Sequence, residues 1–210
     1  MMQFIAMLTM LIDHVGLLFF PDQAVWRIIG RIAFPLYVYA LAQGHQHTSS
    51  HGKYVLRLLG IAVVSQIPYQ ILFETNELNV VASLFMGLLL LRVLDGLSPG
   101  WPAFLLIASG CIFFEVFPFE YGAYGLLLML IFNYVKSGPQ LIMMHLLLNL
   151  AALFTYGWVI QLFSILPTIF IVYGPDLWKR LESWNMPRWI WRAFYPVHLA
   201  VLAIIVHLMG

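Results

Sequence analysis

Apolar runs of about 16 to 22 residues follow one another along the whole chain, each long enough to cross a hydrocarbon core of about 30 Å. In lipid every backbone N–H and C=O must be bonded internally, so runs of this kind fold as helices. Gly, Pro and polar clusters divide the chain near residues 3–20, 24–44, 54–73, 78–94, 101–118, 121–136, 139–156, 157–173 and 189–209. The segment at 157–173 follows its neighbour almost without a loop and contains Pro167, so a re-entrant or tilted piece is the alternative there. Charged residues make up 9% of the sequence, against roughly 25% in a soluble domain. The expected fold is an all-α polytopic membrane bundle of about nine transmembrane helices, one domain over residues 1–210, with a polar cavity inside.

Loop cations set the orientation. Lys53, Arg57, Arg92, Lys136, Lys179, Arg180 and Arg188 fall on one face, and Asp22, Glu74, Glu77, Glu115 and Glu120 on the other. By the positive-inside rule the basic face and the N-terminus are cytoplasmic. The first run lacks a basic leader and a small-residue cleavage site and carries Asp13 and His14, so it is expected to be a retained span. A formal net charge of +1 with no basic patch excludes a nucleic-acid partner and leaves the lipid bilayer as the surface partner. The lone Cys111 reads as a small packing residue. Trp26, Trp101, Trp158 and Trp189 read as an interfacial belt.

The stretch "LTMLIDHVGLLFF" places an acid and an imidazole inside a span. A charge in lipid costs at least about 2.5 to 3.5 kcal/mol, so such groups face the bundle interior and find partners. At about 1.5 Å per residue, Asp13 and His14 lie roughly 10 Å from the outer end of the first span, and Arg31 reaches a similar depth in the second. Ser65, Gln66, Asn149 and His198 are expected in the same layer, with His145 one turn before Asn149. Neighbours on a helix point about 100° apart. Asp13 is therefore expected to pair across the interface with Arg31, leaving His14 toward the cavity, and Arg31→Ala is expected to leave Asp13 unpaired. Ser65, Gln66 and Asn149 also suit interhelical hydrogen bonding. His207 reads as interfacial. His45, His47 and His51 sit in "GHQHTSSHGK", read as a solvated loop; no metal is expected there, because the run has no acid or cysteine and no helical ligand spacing.

Four strings in order, "MLIDHVG", "GRIAFPLYVYAL", "KYVLRLLGIAVVSQIPY" and "FYPVHLAVL", resemble the TraX family. That family is named for a protein implicated in N-terminal acetylation of conjugative pilin, and it is distantly similar to the integral-membrane acyltransferases of acyltransferase family 3. The resemblance implies a multi-pass protein of the bacterial cytoplasmic membrane. It also implies transfer of an acetyl group from cytoplasmic acetyl-CoA to an amine or hydroxyl: a protein N-terminus, a glycan or a small amine. It carries over Asp13, His14, Arg31, Pro35, Tyr54, Arg57, Ser65, Gln66, Pro68, Tyr195, Pro196 and His198. The histidine-rich run at 44–51 departs from the family pattern.

Such a transfer needs a base to take the acceptor's proton, and a neutral imidazole suits it. His14 is the candidate, as base or as acyl carrier. Asp13 and His198 complete the candidate catalytic set, and Arg31, Gln66 or Asn149 would donate to the developing oxyanion. Ser65, His145, Asn149 and Tyr195 are the candidate substrate contacts. Lys53, Tyr54, Arg57, Lys179, Arg180 and Arg192 are the candidates for the CoA moiety at the cytoplasmic mouth. The pantetheine arm would then thread about 20 Å of bundle interior. A proton-coupled transporter or channel with Asp13, His14 and His198 as a relay is the main competing function, and a non-catalytic assembly partner the second. A transporter would show two related halves, and none is evident in the sequence.

Overall fold

The computed structural model describes residues 2–174 and 187–209, and these are helical almost throughout. In chain order the helices are α1 (Met2–Phe19), α2 (Ala24–Gly30), α3 (Ala33–His47), α4 (His51–Phe73), α5 (Val80–Asp95), α6 (Trp101–Val116), α7 (Gly122–Tyr134) and α8 (Gly138–Tyr156). A 3₁₀ helix (Val159–Ser164), α9 (Ile165–Tyr173) and α10 (Arg188–Met209) complete the order. Among the described residues the one strand-like pairing is an isolated bridge between Leu78 and Phe119. Met2–Phe19, Ala24–His47, His51–Phe73, Gly138–Tyr156 and Trp189–Met209 are long and apolar enough to cross a membrane. Trp101–Val116, Gly122–Tyr134 and Val159–Tyr173 are apolar but shorter, so five full-length stretches stand where about nine spans were expected.

Exposed apolar faces and buried polar residues recur along the helices. On α8, His145 and Asn149 are fully buried while Leu147 and Phe154 are 54% and 85% exposed. Helix α4 repeats the pattern: Leu56, Val63, Ile67 and Ile71 face outward, and Ala62, Ser65, Tyr69 and Leu72 face inward. In water each outward side chain would cost about 25 cal/mol per Å² of apolar surface. Acyl chains remove that cost, so the inversion is the packing signature of a helix solvated by lipid.

The sequence reads 24–44 as one unbroken segment, and the structure divides it at Arg31 and Ile32. Pro35 explains the break: it has no N–H for the carbonyl of residue 31, and its ring crowds that same carbonyl. Arg31 instead caps α2, its N–H donating to the carbonyls of Arg27 and Ile28. A second correction concerns the histidine-rich run. Helix α3 continues through His47 and α4 begins at His51, so this is no open solvated loop. His45 is 4% exposed, its Nε2 2.7 Å from Asp95 Oδ2 and its ring 5.6 Å from that of His51. Burial of His45 follows from pairing with an acid far along the chain, beyond the reach of local pattern.

Contacts group the chain into two compact units, Met1–Ala40 with Ile131–Phe194, and Leu41–Leu130 with Tyr195–Gly210. In the first, Pro21 stops α1 by removing the next helical donor, and a turn reverses the chain, closed by Gln23 N–H to Phe20 O at 3.0 Å. Phe20 and Trp26 stack across it at 4.8 Å. At its other end α1 packs Met2 and Ala6 on Leu36, with Phe170 and Trp191 alongside. Helix α8 ends at Gly157, whose left-handed φ of 70° lets its N–H cap the carbonyl of Leu153. In the second unit Asn79 caps α5, its Oδ1 accepting from the N–H groups of Val81 and Ala82.

Candidate active site in the first helical hairpin

On α1 the residues Ala6, Thr9, Met10, Asp13 and Gly16 recur every three or four positions and are all buried. Met7 and His14, seven apart, form the adjoining buried stripe. The chain thus assigns Asp13 and His14 to different faces, each 9% exposed. Asp13 meets α2. Arg31 Nη2 donates to Asp13 Oδ1 and Oδ2 at 3.3 Å each, and Arg27 Nη1 donates to Oδ2 at 2.9 Å. Arg31 Nη1 also donates to Gln161 Oε1 at 3.3 Å.

The Asp13–Arg31 pair expected from matched depth is present, and Arg27 is the addition. It lies one helical turn from Arg31, on the same face, and that spacing is the signal that identifies it. Its side chain is 29% exposed against 14% for Arg31, so it holds the carboxylate from the more exposed side. Arg31→Ala therefore does not orphan Asp13, contrary to the sequence-based expectation.

Close helix approach makes this cluster possible. A Cβ at Gly30 would run into the Asp13 carboxylate and its Cβ, and one at Gly16 would run into Trp26. Gly30→Ala is expected to lose about 1 to 3 kcal/mol of stability by overpacking. Gly52→Ala, where an added Cβ meets nothing, is the control. Thermal unfolding in lipid nanodiscs measures both, and equal midpoints would refute the close packing at Asp13.

Behind Arg31 lies a second polar group that sequence reasoning saw in part. His145 Nδ1 is 2.7 Å from Thr168 Oγ1, and His145 Nε2 is 3.2 Å from Ser164 Oγ. Asn149 Nδ2 donates to Ser164 Oγ at 3.1 Å. His145, Asn149, Ser164 and Thr168 are fully buried, and Gln161 nearly so at 2%. The structure thus engages His145 and Asn149, named above as substrate contacts, with the segment that follows α8. Gln161, Ser164 and Thr168 were not identified from sequence. Their spacing of three and then four puts neutral polar groups on one face of an apolar segment, which is the pattern that finds them.

Most of the other candidates belong to the second unit. Gln66 Nε2 donates to Glu77 O at 2.8 Å, and its Oε1 accepts from Asn79 N–H at 3.1 Å and Nδ2 at 2.7 Å. Its amide ties the α4–α5 turn. Ser65, one residue earlier, is fully buried. Tyr195 and His198 are buried on α10 with ring centroids 5.6 Å apart, in the second unit. Lys53 and Arg57 are exposed at the first turns of α4, Arg57 lying 5.8 Å from the Tyr54 ring centre, and Tyr54 Oη donates to Leu41 O. Arg192 is half-buried on α10. Lys179 and Arg180 lie outside the described residues. Among those described, no group of three or more His, Cys, Asp or Glu is arranged to hold a metal ion.

Comparison with known proteins adds three findings. The chain matches the family described as TraX protein over residues 1–206. It is similar to a probable fimbrial assembly protein FimC, serogroup H1, of Dichelobacter nodosus, 26% identical over 94% of this chain and 91% of that protein. It is also similar to the uncharacterized protein RP591 of Rickettsia prowazekii (strain Madrid E), 34% identical over 40% of this chain and 32% of that protein. No solved structure matches.

Proposed function

This chain belongs to the TraX family, and from that membership we propose that it is a multi-pass cell-membrane acyltransferase, moving an acetyl group from cytoplasmic acetyl-CoA to an amine or hydroxyl. The name of the Dichelobacter nodosus relative, a fimbrial assembly protein, favours a protein N-terminus as the acceptor. The observation that carries the reading is the hairpin of α1 and α2. It holds a carboxylate on Met2–Phe19 and two guanidiniums on Ala24–His47, both stretches long and apolar enough to span, with His14 on the next face of α1. Ions are costly at such a place, and a span keeps them for chemistry or for register.

The acceptor amine attacks the thioester carbonyl, forming an N–C bond as its proton passes to His14. The carbonyl oxygen becomes an oxyanion, for which Arg31 supplies donors. Collapse breaks the C–S bond, and the CoA thiolate leaves and takes a proton back from the His14 imidazolium. Asp13 holds the guanidiniums in place. Exposed Lys53 and Arg57 offer point and planar cations to the phosphates of CoA.

Purified protein in nanodiscs, given acetyl-CoA with a radiolabelled acetyl group and a peptide with a free N-terminus, tests this. Label is expected in the peptide, with free CoA released in equal amount. Neither binding nor release of CoA would overturn the enzymatic reading and leave a relay or an assembly partner.

A further inference from the structure

We propose that Gln161 is a positioning residue for Arg31, held in register by the buried group of His145, Asn149, Ser164 and Thr168. This rests on the reading of Arg31 as oxyanion donor. A guanidinium is planar, and contacts on both terminal nitrogens fix its rotation. Asp13 takes Arg31 Nη2, and Gln161 Oε1 takes Nη1. Asp13 alone is a shared anchor, since Arg27 holds the same carboxylate at the shorter distance of 2.9 Å.

The backbone under Gln161 explains why a glutamine on a short irregular element can be precise. In a 3₁₀ helix residues three apart eclipse one another, so Gln161 and Ser164 lie on one face. Ser164 is bonded to Asn149 and approached by His145, both on α8. Thr168, one turn into α9, meets the other nitrogen of His145. The imidazole thus spans the junction between the 3₁₀ helix and α9, and fixing Ser164 fixes Gln161.

Gln161→Met keeps volume and removes the acceptor, whereas Gln161→Glu keeps an acceptor oxygen at the same reach. Two readouts separate positioning from mere stability: the ¹⁵N guanidinium signals of Arg31 in lipid, assigned by their loss in Arg31→Lys, and kcat against KM for acetyl transfer. In Gln161→Met the Arg31 Nη signals are expected to shift. There kcat falls about 10- to 100-fold, the size of effect of a misplaced catalytic group, with KM for acetyl-CoA within about twofold. Gln161→Glu restores both. Unmoved Arg31 signals, an unchanged kcat in Gln161→Met, or a Gln161→Glu no better than Gln161→Met would each overturn the assignment. Should the wild-type chain itself not turn over, the enzymatic reading falls, while the Arg31 signals still decide for or against Gln161.

Discussion

His14→Ala lowers acetyl transfer by about 10² to 10⁴-fold, the usual contribution of a positioned general base, with the folded state retained. The expectation follows from placement. His14 lies on a different face of α1 from Asp13, so removing its ring leaves the carboxylate bonded to Arg27 and Arg31. His207→Ala, at an exposed position near the end of α10, keeps full rate and serves as the matched control. Should His14→Ala transfer acetyl at the wild-type rate, the base lies elsewhere. If the acetyl group rests on the imidazole during turnover, wild-type protein denatured rapidly near neutral pH carries label on residue 14; a direct transfer leaves it unlabelled.

Asp13→Ala has the largest effect on stability, a loss of about 3 to 5 kcal/mol, the cost of breaking a buried ion pair from one side. One carboxylate serves two cations here, so its loss leaves Arg27 and Arg31 facing each other with their shared anion gone. The reverse changes are milder. Arg27→Ala removes the more exposed cation and leaves Arg31 on Asp13; Arg31→Ala leaves Arg27 at 2.9 Å. Denaturant unfolding in mixed micelles ranks the three variants, and a loss in Asp13→Ala no greater than in either arginine variant would contradict the shared-anion arrangement.

The part of this cluster legible from sequence is the part that charge dictates. Asp13 and Arg31 sit at similar distances on either side of a short turn marked by Pro21 and Asp22, and lipid leaves such ions few options but each other. Arg27 was within reach by the same argument, one turn from Arg31 on the same face. Gln161, Ser164 and Thr168 carry no charge, so their desolvation cost is smaller than an ion's, and their spacing of three and then four begins in a 3₁₀ stretch whose period differs from that of an α-helix. The division of the second span was written in Pro35, although hydropathy runs straight through it. Pairings such as His45 with Asp95 and Gln66 with Asn79 join residues across turns, where no periodicity reports contact.

Histidine modification by diethylpyrocarbonate, mapped by mass spectrometry with and without acetyl-CoA, asks most directly whether the thioester reaches the α1 imidazole. His14 is expected to react slowly in the free protein and to be protected by acetyl-CoA, while exposed His47 and His207 react equally in both conditions. A His14 that never reacts, or that reacts at one rate whether or not acetyl-CoA is bound, would contradict its role as the group that meets the acetyl donor.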